Sequence, residues 1–456
     1  MVDGFHATGE MMPLSVQLPT PTTSSTRRRI VLTTLGSLGD LHPYIAIARG
    51  LQARGHDAVI ATSACYRQKI GALSLGYRAI RPDSAWVADA DVMRRLMHIR
   101  WGLLRVGREW ILPALKESYD DILSASEGAD LLVSHPLAAY ATRLVAEKTG
   151  IPWASTAPVP MAFFSVYDPG MLSAAPAFFL EYLRFLGPTF WTAIRWLGKR
   201  ATRFLAKPWY RLRAQIGLPP TNEGNPLIDS HSPSLVLALF SKALADKQPD
   251  WPAQTVITGF PLYDQDGDAG LPPLLARFLD NGTPPIVFTL GSAVATDAGP
   301  FFQHSVAAAR LLGQRAVIIV KNAGNRLLKL PDEMAAFDFA PFSELFPHAA
   351  VIVHHGGIGT TGLAMRSGRP MLIMPSAWDQ PDHAERVTRL GIARTVSRSR
   401  YTPDRVASEL RELLDNPAYS QRAAEIAEQV EKEDGVRNAC DALEALLQPS
   451  NRIGLY

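Results

Sequence analysis

The residues best suited to chemistry lie between Val351 and Ala364, in the stretch VIVHHGGIGTTGLA. An apolar run ends in two histidines, a glycine-rich turn follows and a helix begins, so unpaired backbone N–H groups and the positive end of a helix dipole meet at one point. Such a point binds phosphate. Gly356, Gly357 and Gly359 let the backbone approach an anion closely, Thr360 and Thr361 add hydroxyl donors, and a strand-end histidine adds an imidazole N–H. The same turn also serves elsewhere as a plain packing device, and the residues alone leave that reading open. Two more segments belong to this half of the chain: Leu290-Gly291-Ser292 after one apolar run and Trp378-Asp379-Gln380 after another. In an open parallel sheet the ligand crevice lies beyond the carboxyl ends of the strands, so all three segments can face one cleft. There the Asp379 carboxylate accepts hydrogen bonds and the Gln380 amide both donates and accepts, which suits sugar hydroxyls.

A competing pattern overlaps the first. Gly357, Gly359 and Gly362 satisfy G-x-G-x-x-G with Asp379 about 20 residues on, as in dinucleotide-binding oxidoreductases. That pattern wants its acid at the end of the second strand, whereas Asp379 lies beyond Pro375 on a loop with Gln380 beside it. Near the other end of the chain, GSLGDLHP (Gly36 to Pro43) reads as a strand-to-helix turn where an acceptor would meet both Asp40 and His42. Asp40 as a simple helix N-cap, and His42 as a surface residue, are the alternatives. Neither has metal-ligand spacing and no D-x-D pair stands out, so no catalytic metal is expected.

The elements that must carry these residues alternate. RRRIVLTT reads as a buried strand, HPYIAIARGLQARG as a helix stopped by Gly55, and DAVIATS as the next strand. The rhythm recurs through ADLLVSHP, TRLVAEKTG and IPWASTAP, which implies a parallel sheet covered by helices. A Gly, Pro and Asp cluster marks a linker, after which PPIVFTLGS, RAVIIV, AVIVHHGG and PMLIMP read as strands of a second sheet. The expected organisation is a disordered tail at 1–26, one α/β domain at 27–258, a linker at 259–270, a second α/β domain at 271–436 and a closing helical segment at 437–456. Between Met161 and Tyr210 lie 13 aromatic residues, a third of the chain's total. They can be helices packed on the domain, the wall of an apolar ligand cleft, or, with the Arg and Lys among them, a contact with a membrane surface.

Composition excludes several classes. With 456 residues and 47% apolar content the chain can bury more than one core. A net charge of +3 lacks the basic excess of phosphate-tracking proteins, so no nucleic-acid partner is expected. Cys65 and Cys440 stand far apart with no neighbouring thiol, which fits a reducing compartment. No apolar run nears the ~20 residues of a membrane span and the first 26 residues hold no secretion-signal core, so a cytoplasmic location is expected. Oligomeric state stays open.

At these residues the sequence resembles the GT-B fold glycosyltransferases of family 1, in the bacterial branch with rhamnosyltransferases, sterol glucosyltransferases and macrolide or flavonoid glycosyltransferases. The matching pieces are GSLGDLHPYIAIARGLQARGH, SVYDPGML, TGFPLYD, FTLGS and the long block from FAPFSELFPHAAVIVHHGGIGTTGLAMRSG through PMLIMPSAWDQPDHAERVTRLGIA. The resemblance implies two Rossmann-like open parallel-sheet α/β domains facing across a cleft. The N-terminal one would hold an acceptor and the C-terminal one a nucleotide diphosphate sugar, with the last helix crossing back. On the matching positions, His355, Ser292 and the amides around Gly357 to Thr361 would grip the diphosphate. Phe339 falls where the plant branch stacks a tryptophan on the base, and Gly39 and Phe342 fall among the donor contacts. Asp379 and Gln380 would hold sugar hydroxyls. Asp40 falls where the plant branch has its catalytic histidine, and His42 remains the alternative base. The ribose-clamping glutamate of the plant branch has no counterpart, the matching position being near Leu363, which leaves the nucleotide open between UDP and dTDP. The activity implied is inverting, metal-independent transfer of a hexose from a donor such as UDP-glucose or dTDP-rhamnose. The acceptor would be a hydroxyl of a lipid, sterol, polyketide or flavonoid-like molecule. The donor would be a co-substrate, with no prosthetic group. A nucleotide-sugar epimerase of the same fold is the alternative.

Overall fold

A computed structural model describes residues 27–84, 89–98, 102–170, 185–221, 224–264, 270–291, 298–320 and 330–448. The expected tail at 1–26, part of the expected linker, and Ser292 lie outside these residues.

The apolar runs become parallel strands because their β-branched side chains are buried on both faces, under helices. In the first sheet these are β1 (Arg29–Thr33), β2 (Asp57–Thr62), β3 (Gly76–Ala79), β4 (Leu131–Ser134), β5 (Trp153–Ala157), β6 (Leu235–Ala238) and β7 (Thr255–Ile257). Their order is β3-β2-β1-β4-β5-β6-β7, every pair parallel. The second sheet comprises β8 (Ile286–Thr289), β9 (Ala316–Ile319), β10 (Met334–Phe337), β11 (Val351–His354), β12 (Met371–Ile373) and β13 (Ala393–Thr395). Its order is β10-β9-β8-β11-β12-β13, again all parallel. The reading of the sequence contains no strand at β3, β10 or β13. These three are edge strands, only partly buried, so they lack the continuous apolar run that marks the central ones.

Each strand order reverses once. The chain runs outward from β1 to β3 and then restarts at β4 on the other side of β1, with Thr33 opposite Ser134. Likewise it runs from β8 to β10 and restarts at β11, with Val353 opposite Phe288. At such a reversal the connections on either side diverge, which opens a crevice at the carboxyl ends of the two central strands. Helix α1 (Leu38–Ala53) begins at the first crevice beside β1, and α2 (Ala90–Leu96) comes later in the same lobe. Helix α3 (Pro136–Thr149) begins where β4 ends, and α4 (Gly187–Thr202) lies beyond β5. In the second lobe α5 (Ile358–Arg366) begins just after β11 and α6 (Gln380–Arg389) after β12.

The last described helix, α7 (Gly435–Leu447), buries Ala439, Cys440, Leu443, Leu446 and Leu447 in the core around β1, β2 and α1. Glycines permit this approach: a Cβ on Gly50 would lie 2.6 Å from Val436, and one on Gly435 would lie 2.4 Å from the backbone of Phe260. Arg54, just after α1, then pairs with Asp441 at 2.6 Å and Glu444 at 2.8 Å. Elsewhere the lobes touch through a buried ion cluster, in which Arg386 of α6 donates to Asp382 on its own helix and to Asp168 of the first lobe.

The aromatic segment has several fates. Phe163 stacks on Trp251 with ring centres 4.0 Å apart and Trp209 is fully buried, so these two are core. Phe185, Trp196 and Phe204 are exposed. Phe178, Phe179 and Tyr182 lie outside the described residues.

Candidate active site

At the first crevice the sequence builds a held carboxylate. Gly36 sits at φ +128°, and a Cβ there would lie 2.3 Å from Asp40 Oδ2, so only glycine lets this carboxylate fold back over the strand end. Ser37 is the N-cap of α1, and both its N–H (2.7 Å) and its hydroxyl (2.9 Å) donate to Oδ2. The other oxygen, Oδ1, lies 3.3 Å from Nε2 of His135, the residue that ends the β4 segment. His135 Nδ1 accepts the Leu137 N–H at 3.2 Å and so caps α3. A ring nitrogen that accepts carries no proton, so the neutral imidazole holds its hydrogen on Nε2, facing Asp40. Burial alone would raise the Asp40 pKa, but the His135 and Ser37 donors outweigh it and hold the carboxyl below the usual carboxylate range. With 31% of its side chain exposed, Asp40 is an ionised group that a ligand can reach.

His135 is absent from the sequence-based candidates. Its SHP context reads as an ordinary strand end and helix cap, which it also is; its second role depends on β4 lying beside β1. His42 differs from expectation in direction. Residues two apart on a helix point to opposite sides, and His42 packs edge-on against Tyr263 with ring centres 5.3 Å apart. Burial, then the nearby Lys69 charge, pushes its pKa down to about 4. One acceptor group therefore does not meet both residues. Gly39 lies in the first turn of α1, where a Cβ would stand 3.5 Å from Ser37 Oγ.

At the second crevice glycines make room around a histidine. His355 Nδ1 accepts the Gly291 N–H at 3.0 Å, which again puts the hydrogen of the neutral ring on Nε2. A Cβ on Gly291 would lie 2.6 Å from that nitrogen, and one on Gly357 2.5 Å from it. Burial, then the His383 charge, pushes the His355 pKa down to about 4, so it offers a neutral N–H donor. Gly357 is the N-cap of α5, and the first amides of the helix, Ile358 to Thr360, have no acceptor within the helix. Gly359 faces open space. This combination can hold a diphosphate.

Several expected contacts are otherwise engaged. The Thr361 hydroxyl is buried and donates to the Gly357 carbonyl at 3.0 Å, so it steadies the turn and is no free donor. Gln380 Oε1 accepts from the N–H groups of Ser376 (2.9 Å) and Ala377 (3.3 Å), leaving only its amide nitrogen for a ligand. Phe342 stacks on Phe346, with centres 4.6 Å apart, while Phe339 is exposed. A Cβ on Gly362 would lie 2.9 Å from the Phe260 ring, so this glycine allows close packing against that ring.

Asp379 directly precedes α6, its Oδ2 3.8 Å from Nε2 of the fully buried His383. His383 donates from Nδ1 to the Gly356 carbonyl at 2.8 Å, tying this loop to the glycine turn. Burial raises the Asp379 pKa, His383 opposes that, and the charge of Asp40 raises it further. The charge of Asp40 thus reaches Asp379 across the gap between the lobes. A small cavity of about 130 Å³ also opens between the lobes, lined by Tyr167, Asp168, Pro188, Trp191 and Arg389. Among the described residues no group of three or more His, Cys, Asp or Glu is placed to hold a metal ion.

Comparison with known proteins gives matches in both halves. Residues 30–166 match the glycosyltransferase family 28 N-terminal domain, and residues 307–446 match the erythromycin biosynthesis protein CIII-like C-terminal domain. The chain is 34% identical to the O-mycaminosyltylonolide 6-deoxyallosyltransferase of Streptomyces fradiae, over 91% of this chain and 97% of that protein. It is 29% identical to a sterol 3-beta-glucosyltransferase of Candida albicans over 94% of this chain, which spans only 28% of that protein. Among solved structures, the spinosyn forosaminyltransferase SpnP aligns over 92% of this chain and 100% of its own (TM-score 0.68, 20% identity). The glycosyltransferase VinC in complex with dTDP aligns over 91% and 98% (TM-score 0.65, 21% identity). The spinosyn rhamnosyltransferase SpnG complexed with spinosyn aglycone aligns over 91% and 100% (TM-score 0.65, 17% identity). At these identities the structural likeness speaks for the fold, two parallel-sheet lobes of GT-B type.

Proposed function

We propose, since this chain belongs to the GT-B glycosyltransferases of family 1, that it moves a hexose from a UDP- or dTDP-sugar to a hydroxyl of a hydrophobic small molecule, with inversion at the anomeric carbon. The observation that carries this reading is the pairing across the gap of a held, ionised Asp40 with a cradle of helix amides and the neutral His355 donor. Asp40 takes the proton of the acceptor hydroxyl as that oxygen bonds to the anomeric carbon. On the far side the bond from that carbon to the diphosphate oxygen breaks, and its electron pair leaves with the diphosphate. The charge that builds there meets the Nε2–H of His355 and the first amides of α5, fixed dipoles that need no reorganisation. Asp379 holds a sugar hydroxyl and so aims the anomeric carbon at the acceptor.

Relatives favour a polyketide-like acceptor and a dTDP donor. The Streptomyces fradiae relative is named for a macrolide substrate, and VinC is a dTDP complex. The fungal sterol glucosyltransferases keep sterols in the acceptor class. The test is a mass-spectrometric screen of UDP-glucose and dTDP-rhamnose against macrolide aglycones, sterols and flavonoids, with NMR of the product to read its anomeric configuration. A product heavier by one hexose and inverted at C1 is expected. Isomerised donor without acceptor would turn the reading to an epimerase, and retained configuration would remove the single displacement.

A further inference from the structure

We infer that the outer face of α4 and the turn after it dock this enzyme on an anionic lipid surface. Of the large apolar side chains the fold leaves exposed, an unusual share falls between 185 and 204: Phe185 is 71% exposed, Trp196 62%, Leu197 56% and Phe204 62%. Ile194 and Leu197 follow helical spacing and share one side of α4, and Phe204 lies in the turn that continues the chain after it. The opposite side is anchored in the lobe, through buried Trp191 and through the pairs of Arg195 with Asp250 and Lys199 with Asp229. The apolar face is therefore a fixed feature of the fold.

Charge selects the occupant. From 185 to 221 the chain carries seven Lys or Arg and no Asp or Glu, in a protein whose whole net charge is only +3. Arg200, Arg203, Lys207 and Arg211 are exposed and have no acidic partner among the described residues. Arg200 and Arg203 instead lie over the rings of Trp196 and Tyr210, at 6.0 and 5.8 Å. An apolar stripe with Trp and Phe, flanked by basic side chains, is the composition that lies in a lipid interface, with rings at the acyl boundary and cations among the headgroups. A second copy of the same face is disfavoured, because two basic rims would oppose one another. The start of the helix, Pro188 and Trp191, also lines the interlobe cavity. A hydrophobic acceptor dissolved in lipid would thus be delivered beside the gap where the two lobes meet.

The test is sedimentation of the full chain with vesicles of phosphatidylcholine alone, or of equal parts phosphatidylcholine and phosphatidylglycerol. Binding is expected only to the second, and weaker at high salt. The pair Trp196→Ser with Phe204→Ser, and separately Arg200→Glu with Arg203→Glu, should each weaken it by roughly tenfold or more. Affinity for dTDP in solution should stay unchanged in both. Absence of vesicle binding by the unaltered chain, equal binding by the variants, or a dimer in size-exclusion chromatography that these substitutions dissolve would each overturn the inference.

Discussion

The two crevices are built around the same device and put it to opposite uses. His135 follows β4 and His355 follows β11, and each accepts a backbone N–H on Nδ1, from Leu137 at 3.2 Å and from Gly291 at 3.0 Å. Each therefore presents an Nε2–H toward its crevice. In the first lobe that hydrogen meets the protein's own anion, Asp40. In the second, Gly291 and Gly357 keep side chains away from it, and an anion from outside can take the place. A histidine with a fixed tautomer is thus indifferent to role; what faces it decides. The difference would also orient a diphosphate, since the charge of Asp40 repels it from the first crevice and favours the second.

That contrast breaks most plainly at Asp40. Asp40→Asn keeps the side-chain shape and removes the base, so kcat should fall by about 10²–10⁴ while the dTDP affinity measured by calorimetry holds. Turnover within a few fold of the unaltered enzyme would place the base elsewhere. His355→Ala should lower kcat by about 10²–10³ and weaken dTDP binding as well, because the role proposed for this donor is on the leaving diphosphate. If dTDP binds it as tightly as before, the second crevice is not the diphosphate site.

What the sequence makes legible follows from how local the signal is. The central strands, α1 and the glycine turn before α5 are visible because β-branched runs and glycine spacing are set by neighbours in the chain. The edge strands β3, β10 and β13 are not, since partial burial leaves them without an apolar run. Asp40 and His355 can be picked out from their turns, but His135 cannot, because only the adjacency of β1 and β4 brings it to Asp40. Thr361 and Gln380 look available in sequence yet spend their oxygen chemistry on the loops that carry them. His42 is a different case: its spacing from Asp40 on one helix already implied opposite directions.

A subtler way to sharpen the contrast is His135→Asn. Asparagine retains a good N-cap for α3 but cannot reproduce the Nε2–H facing Asp40. The His135 and Ser37 donors hold the Asp40 pKa down, so losing one of them must raise it. The acid limb of the kcat/KM profile should therefore move to higher pH. Above that limb the rate should change little. The sign holds for stability as well: a carboxyl with a depressed folded pKa stabilises above its unfolded pKa, and that contribution is lost as pH falls. The variant should therefore lose less stability on acidification than the unaltered chain.

The smallest effect is expected where the two regions are tied together. Trp378 sits at φ +57°, an unusual conformation for a bulky residue, and its Nε1 donates to the Leu96 carbonyl of the first lobe at 3.0 Å. It directly precedes Asp379, so the tie positions the carboxylate that would hold the sugar, without touching the diphosphate cradle. Trp378→Phe removes one neutral hydrogen bond, worth about 1 kcal/mol, or roughly fivefold. KM for the sugar donor should rise by about that factor, while dTDP, which has no sugar for Asp379 to hold, should bind as before. Equal weakening of both would mean that the tie supports the whole second lobe, and the division of labour between Asp379 and His355 would have to be redrawn.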